Sequence, residues 1–390
     1  MMNYQHRALE STLKDYLQYF PVVGLTGPRQ SGKSTLLQHI LPEYTYVTFD
    51  DYRVISLFHH DPERFLTIYA DQIIFDEVQK IPELFNYIKI AVDSNRESKG
   101  KFILTGSSQF SLIKNSSESL AGRIGLLSLY PFQFAEIPAD LHEESIFRGG
   151  YPELVERNYE FYNAWFSSYI ETYIHRDIVS VGHVGDVRDF RRLLQLLAAN
   201  ASQQLNMARY ASDIGVDVKT IKRWIALLEA SYIIFLIPPF YKNYGKRLVK
   251  SPKLYFYDVG IVSFLTGIEN KTLFENGPMA GAIFENYLVS EILKKERHAN
   301  QSSELYYLRT SHGVEVDLII DRKNKKEFIE IKNSETFHPR MIASMSEFIE
   351  EGDKGFLLYR GENFPCHEPI SVINYNEFLV INSPLISDSA

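Results

Sequence analysis

Short apolar runs alternate with amphipathic stretches through the first third of the chain, the pattern of buried parallel strands flanked by helices. Positions 22–26 suit a buried strand, and positions 36–41 have helical spacing that stops before Pro42. A second run, Ile73-Ile74-Phe75, ends in Asp76 and Glu77. A third, 101–104, ends in Thr105, Gly106, Ser107 and Ser108. An aromatic-rich helix is expected over 165–177, with Arg176 and Asp177 as a buried ion pair. Asn206 caps a helix through Ile214 that Gly215 ends. A second helix spans 218–230, with Ile221, Ile225 and Leu228 on its apolar stripe and Lys219, Lys222 and Arg223 elsewhere. Strands at 232–237 and 253–257, bridged by 241–247, complete a helix–turn–helix with a wing. Toward the end, a helix over 282–295 precedes strands at 305–309, 314–320 and 327–332. A helix near 339–350 and a strand at 355–359 follow. The expected fold class is α/β in four segments: a parallel sheet with flanking helices (1–140), a helical linker (141–200), a winged-helix region (201–275) and a C-terminal α/β domain (276–390).

Composition narrows this picture. The 390 residues are 45% hydrophobic and 23% charged, as in an ordinary globular protein, and the net charge of −8 argues against wholesale coating of nucleic acid. Residues 165–255 nevertheless carry 13 Lys or Arg against 7 Asp or Glu, a local basic balance that suits phosphate contacts to DNA. The apolar run 232–237 is too short for a bilayer, so no membrane segment is expected. One cysteine, Cys366, and no apolar signal segment fit a cytoplasmic protein.

The most specific chemistry lies between the first strand and helix. Gly27-Pro28-Arg29-Gln30-Ser31-Gly32-Lys33-Ser34-Thr35 is a complete phosphate-binding loop in the strand–loop–helix context that such a loop needs. Its glycines let backbone N–H groups turn toward an anion at a helix N-terminus. Lys33 is expected at the β- and γ-phosphates of ATP, and the Ser34 hydroxyl on Mg²⁺. Asp76 is expected to hold the same Mg²⁺, and Glu77 to polarise the attacking water. Thr105, Ser107 and Ser108 are candidates for sensing the γ-phosphate.

A second set of charged residues falls on the C-terminal strands. Residues two apart on a strand share a face, so Glu330 and Lys332 converge, and Asp317 on the neighbouring strand joins them. The α-β-β-β-α-β order with Asp317 and Glu330-x-Lys332 matches the PD-(D/E)XK nuclease core. That match implies Mg²⁺ on Asp317 and Glu330, with the Ile331 carbonyl assisting and Lys332 orienting water or stabilising the phosphate. It also implies Glu285, from the preceding helix, as a further metal ligand, with Glu315 able to assist Asp317.

Several motifs occur in order: the phosphate loop, Asp76-Glu77-Val78-Gln79, Thr105-Gly106-Ser107-Ser108, Leu120-Ala121-Gly122-Arg123 and Leu129-Tyr130-Pro131-Phe132. Through them nearly the whole chain resembles prokaryotic AAA-type ATPases whose C-terminal region is called domain of unknown function 4143. The resemblance implies a homo-oligomer in which Arg123 is an arginine finger on a neighbour's γ-phosphate, a role in cis or a structural role being the alternatives. Three functions are compatible with these readings. One is ATP hydrolysis coupled to nucleic-acid binding and metal-dependent cleavage. The others are an ATP-driven switch that binds without cutting and a protein-remodelling ATPase.

Overall fold

Alternation along the first strands places successive side chains on opposite faces of one sheet, and each face has its own apolar core. Ile73, Phe75, Phe102 and Leu104 join Phe49, Phe58 and Phe65 on one face. Ile74 and Ile103 join Val23, Leu25, Leu36 and Leu37 on the other. Burial on both sides explains why these strands read as continuous hydrophobic runs. The computed structural model describes residues 4–95, 97–106, 119–173, 187–240 and 251–381. Ser107, Ser108, Arg176, Asp177 and the expected wing at 241–247 lie outside them.

The chain divides into two compact units. The first comprises Met1–Phe132, Ala230–Tyr232 and Arg297–Asn300, and the second Gln133–Glu229, Ile233–Glu296 and Gln301–Ala390. The N-terminal segment of the first unit in this division ends at Phe132. Gln133 already opens the next element, where its backbone N–H donates to Glu136 in a capping box. The three expected segments beyond 140 are not separated at this level.

In the first unit, β1 (Val22–Thr26), β2 (Thr45–Thr48), β3 (Ile73–Asp76), β4 (Phe102–Thr105) and β5 (Ile124–Ser128) form a parallel sheet in the order β2-β3-β4-β1-β5. Because β4 lies between β1 and β3, the ends of the three strands carrying Thr26, Thr105 and Asp76 are neighbours. An open α/β sheet binds its ligand at that edge. Asp51 and Asp61 cap the helices Tyr52–His60 and Pro62–Ile68 by accepting from the backbone N–H groups of Arg53 and Arg64.

In the second unit, the helix Met207–Ile214 starts at Asn206, whose Oδ1 accepts from the Arg209 N–H at 3.0 Å. It ends at Gly215, which is left-handed. The helix Val218–Ala230 buries Ile221, Trp224, Ile225 and Leu228 and exposes Lys219, Lys222 and Arg223. β6 (Ile234–Ile237) and β7 (Lys253–Phe256) pair antiparallel. A long helix, Ala280–His298, precedes β8 (Glu304–Arg309), β9 (Glu315–Asp321), β10 (Lys326–Lys332), β11 (Lys354–Tyr359) and β12 (Ile370–Asn374). These five form one sheet in the order β12-β11-β10-β9-β8, antiparallel from β8 to β10 and parallel from β10 to β12. The helix expected near 339–350 is only a 3₁₀ turn, Pro339–Met341, and one α-turn, Ala343–Ser346. Ser346 Oγ bonds back to the Ile342 carbonyl, and the Asp353 carboxylate takes the Glu350 N–H. Both local bonds compete with helix propagation. No helix among the described residues is long and apolar enough to cross a membrane.

Candidate active site

The phosphate loop leaves the C-terminal end of β1 through Gly27, whose φ is +141°. A Cβ there would lie 2.0 Å from the Leu129 carbonyl oxygen, so only glycine fits. Gly32, at φ +89°, turns the chain into the helix Lys33–Ile40. Inside the loop, Lys33 Nζ donates to the carbonyls of Gly27 (3.0 Å) and Pro28 (2.8 Å). Burial lowers its pKa to about 8, against the pull of Glu77 and Asp76, and Arg29 lowers it further. A buried ammonium held mainly by neutral carbonyls is poised for an anion.

Asp76 ends β3 and accepts hydrogen bonds from the Tyr46 hydroxyl (2.5 Å) and the Thr105 hydroxyl. Burial and this bond to Asp76 push the Tyr46 pKa up, so Tyr46 stays a donor, and Ser34 lies within its hydrogen-bonding reach. Glu77 follows in a left-handed conformation, φ +56°, and accepts from the Gln79 amide. Burial first, and then the Asp76 charge, raise the Glu77 pKa, while Arg29 and Gln79 lower it. A raised carboxylate pKa suits proton transfer near neutral pH. Ser34, Lys33, Asp76, Glu77 and Thr105 thus share the same edge of the sheet.

Sequence reasoning missed Arg7. It is 3% exposed, and its guanidinium donates to the Ser31 carbonyl (2.8 Å) and the Tyr130 carbonyl (2.7 Å). It also lies 4.7 Å from the Phe132 ring centroid. Peptide planarity makes the first contact informative: fixing the Ser31 C=O fixes the Gly32 N–H in the opposite direction. Nothing local in the sequence marks an arginine 24 residues before its loop partner.

Arg123 sits elsewhere. Its carbonyl accepts from Val22 N–H at the start of β1, and β5 runs parallel to β1 from Ile124 to Ser128. It therefore stands at the opposite end of the sheet from the loop, roughly 16 Å along the strand. Its Nε and Nη2 donate to the two carboxylate oxygens of Asp93 at 2.8 and 2.9 Å. This placement excludes the cis role on the nucleotide of its own loop.

In the second unit, β9 and β10 bring Asp317, Glu330 and Lys332 together. Lys332 Nζ donates to Glu330 Oε2 (2.8 Å) and Asp317 Oδ2 (3.2 Å), and the Ile331 N–H donates to Asp317 Oδ2 (2.9 Å). Glu330 Oε1 is buried and no N–H or O–H donor of the described residues reaches it, while the Glu330 and Asp317 carboxyl groups lie within hydrogen-bonding reach of each other. Burial and the Asp317 charge raise the Glu330 pKa to about 9. For Asp317, Lys332, Lys253 and the Ile331 N–H outweigh burial and hold the pKa low. A buried carboxylate with an orphan oxygen next to a charged one is chemically suited to a hard cation.

Glu285 points to a different partner. Its Oε1 accepts from Lys253 Nζ (3.0 Å) and from the Tyr255 hydroxyl (2.8 Å). Lys253, the first residue of β7, also reaches Glu315 Oε1 (2.5 Å) and lies 3.9 Å from Asp317 Oδ1. Glu315 receives Arg309 as well, at 3.0 Å. Among the described residues no group of three or more His, Cys, Asp or Glu is placed to hold a metal ion. The acids expected to form one metal shell are divided by Lys253. That residue was not anticipated, although a lysine opening the apolar run Leu254-Tyr255-Phe256 was a visible signal.

Residues 19–138 match the AAA domain family, residues 139–272 match a domain of unknown function (DUF8612), and residues 280–378 match a domain of unknown function (DUF4143). An uncharacterized protein of Mycobacterium tuberculosis is 29% identical over 97% of this chain and 86% of its own length. An uncharacterized protein of Haemophilus influenzae is 20% identical over 75% of this chain and 78% of its own. Among solved structures, a Walker-type ATPase of Pyrococcus abyssi aligns with a TM-score of 0.45 and 16% identity, covering 68% of this chain and 96% of that one. AMPPCP-bound DnaA of Aquifex aeolicus aligns with a TM-score of 0.30 and 14% identity, covering 57% and 85%. With a complete phosphate loop, and with Asp76 and Glu77 on the edge of its parallel sheet, the chain is an ATPase whose residues 19–138 match the AAA domain family and whose residues 280–378 match domain of unknown function 4143.

Proposed function

We propose that ATP hydrolysis in the first unit licenses phosphodiester cleavage of DNA by Asp317, Glu330 and Lys332 in the second. The observation that carries this reading is the convergence of those three side chains around a buried Glu330 oxygen that no N–H or O–H donor of the described residues reaches. In the ATPase, the loop N–H groups and Lys33 hold the β- and γ-phosphates. Ser34 and Asp76 are the residues that would hold Mg²⁺, and Glu77 takes the proton of the attacking water. Thr105 fixes the Asp76 carboxylate. Any action of Arg123 on a γ-phosphate is in trans, in a homo-oligomer, and requires release from Asp93.

At the second site, Asp317 and Glu330 would hold a divalent cation, which when bound supplies Lewis-acid activation of water and charge neutralisation of the phosphodiester. Lys332 places its ammonium beside both carboxylates and stabilises negative charge developing on the phosphate. Lys219, Lys222 and Arg223, exposed on the second helix of the helix–turn–helix, contact backbone phosphates.

The test is a cleavage assay on single-stranded, duplex and branched DNA with ATP and Mg²⁺ or Mn²⁺. Wild type is expected to nick. Lys332→Ala is expected to lose nicking and keep ATP turnover, and Glu77→Gln to lose turnover and nicking while still binding ATP. No cleavage of any form by wild type overturns the nuclease reading. DNA binding retained in that case favours an ATP-driven switch that does not cut.

A further inference from the structure

Among the described residues, Lys253 is the cation that the β6–β7 hairpin brings to the carboxylate cluster, and it is 2% exposed. Its ammonium has three N–H donors. Three carboxylates face it: Glu285 at 3.0 Å, Glu315 at 2.5 Å and Asp317 at 3.9 Å. Glu285 is held in that direction by the Tyr255 hydroxyl, and Glu315 by Arg309. Asp317 bridges two positions, with Oδ1 toward Lys253 and Oδ2 toward Ile331 N–H and Lys332.

A carboxylate bridging two cations, with further acids on each side, is the layout of a two-metal phosphodiesterase site. Here one cation position is built into the chain. We propose that Lys253 permanently fills the place of a second divalent cation, so that the cluster takes one divalent cation, at Asp317 and Glu330, and no more. The inference rests on the metal reading of Asp317 and Glu330 given above. It also removes Glu285 from the metal shell, because both contacts recorded for its Oε1 go to Lys253 and Tyr255. A fixed ammonium cannot be stripped by chelators or exchanged with solvent. It also makes the site depend on the hairpin that carries it, since Lys253 opens β7.

The experiment is calorimetric titration of the full-length, nucleotide-free protein with Mn²⁺, with cleavage not needed as a readout. Wild type is expected to bind one Mn²⁺ per chain. Glu285→Gln is expected to keep that stoichiometry with affinity within threefold. Lys253→Met is expected to gain a second Mn²⁺, on Glu285 and Glu315, and Glu330→Gln to lose the first. Two Mn²⁺ in wild type, or a tenfold or greater weakening in Glu285→Gln, overturns the inference. No Mn²⁺ in wild type overturns the metal reading instead; Lys253→Met still decides the present point, because a vacated cation position takes one Mn²⁺ and a merely structural lysine leaves none. If Lys253→Met does not fold, Glu285→Gln alone carries the decision.

Discussion

Two buried lysines stand at the centre of the two sites, and burial drives them in opposite directions. Lys33, 9% exposed, donates to neutral carbonyls in the phosphate loop, and its pKa falls to about 8. Lys253, 2% exposed, meets the same desolvation, but Tyr255, Glu285, Asp317 and Glu315 outweigh it and its pKa rises. The difference lies in compensation. An under-compensated buried cation awaits an anionic ligand, which at Lys33 is the phosphate chain of ATP. A fully compensated one is already part of a closed charge set. Depth of burial therefore does not tell a binding lysine from a structural one; the charge of its partners does.

The largest expected effect breaks this comparison directly. Lys253→Met leaves Glu285, Glu315 and Asp317 facing one another without their shared cation, and removal of one partner from a buried ion set destabilises by about 3–5 kcal/mol. Lys33→Met removes an under-compensated charge, so the nucleotide-free protein is expected to stay within about 1 kcal/mol of wild type or gain stability, while ATP binding is lost. Urea unfolding with a parallel nucleotide titration reads both. Equal losses of stability in the two variants would sink the distinction.

The same contrast explains what the sequence made legible. The phosphate loop is nine consecutive residues whose spacing alone dictates backbone geometry, and Asp76 and Glu77 close a strand whose apolar run is unmistakable. Asp317, Glu330 and Lys332 were readable because strand periodicity and one adjacent pairing suffice to bring them together. Lys253 and Glu285 are joined only by tertiary packing between β7 and the helix Ala280–His298, 32 residues apart, so no local rule pairs them. The position of Arg123 was not legible for another reason. Its motif named the residue type, but only the parallel register shows that a residue preceding β5 lies at the end of the sheet away from its own ligand edge, which leaves the finger role to a neighbouring subunit's nucleotide. The short turn at Ala343–Ser346 shows the remaining limit: a serine and a downstream Asp redirect backbone bonds that hydrophobic spacing alone assigns to a helix.

Arg7 sharpens the comparison at the next level of effect. It belongs to the phosphate-loop side, and its guanidinium holds two backbone carbonyls there. Hydrogen bonds to a charged group contribute about 1.5–3 kcal/mol each. Arg7→Gln is therefore expected to weaken ATP binding by about tenfold or more, through misdirection of the Gly32 N–H. Arg7→Lys, which keeps one directed donor, is expected to recover part of it. A positioning role predicts that turnover at saturating ATP changes less than affinity. If unfolding shifts while ATP affinity at low temperature does not, Arg7 serves the fold alone.

The smallest effect is a slope, and it tests the charge state of Lys33 itself. ATP binds the ammonium form. With a pKa of about 8 in the free protein, Lys33 loses its proton as pH rises above that value, whereas bound phosphate keeps it charged. Binding then takes up a proton, and the ATP dissociation constant is expected to climb toward tenfold per pH unit above about 8. The triphosphate is fully ionised in that range and adds no slope. The sign for stability is the reverse. A lysine depressed in the folded state holds fewer protons there than in the unfolded chain, so its contribution to nucleotide-free stability improves as pH rises from about 8 to about 10.4. Lys33→Arg supplies the control, since a guanidinium does not titrate in this window and its variant should show a flat profile. Fluorescent-nucleotide titrations from pH 7 to pH 9.5 separate the two. A flat wild-type profile would mean that Asp76 and Glu77 fully compensate Lys33, and the loop lysine would then resemble Lys253 after all.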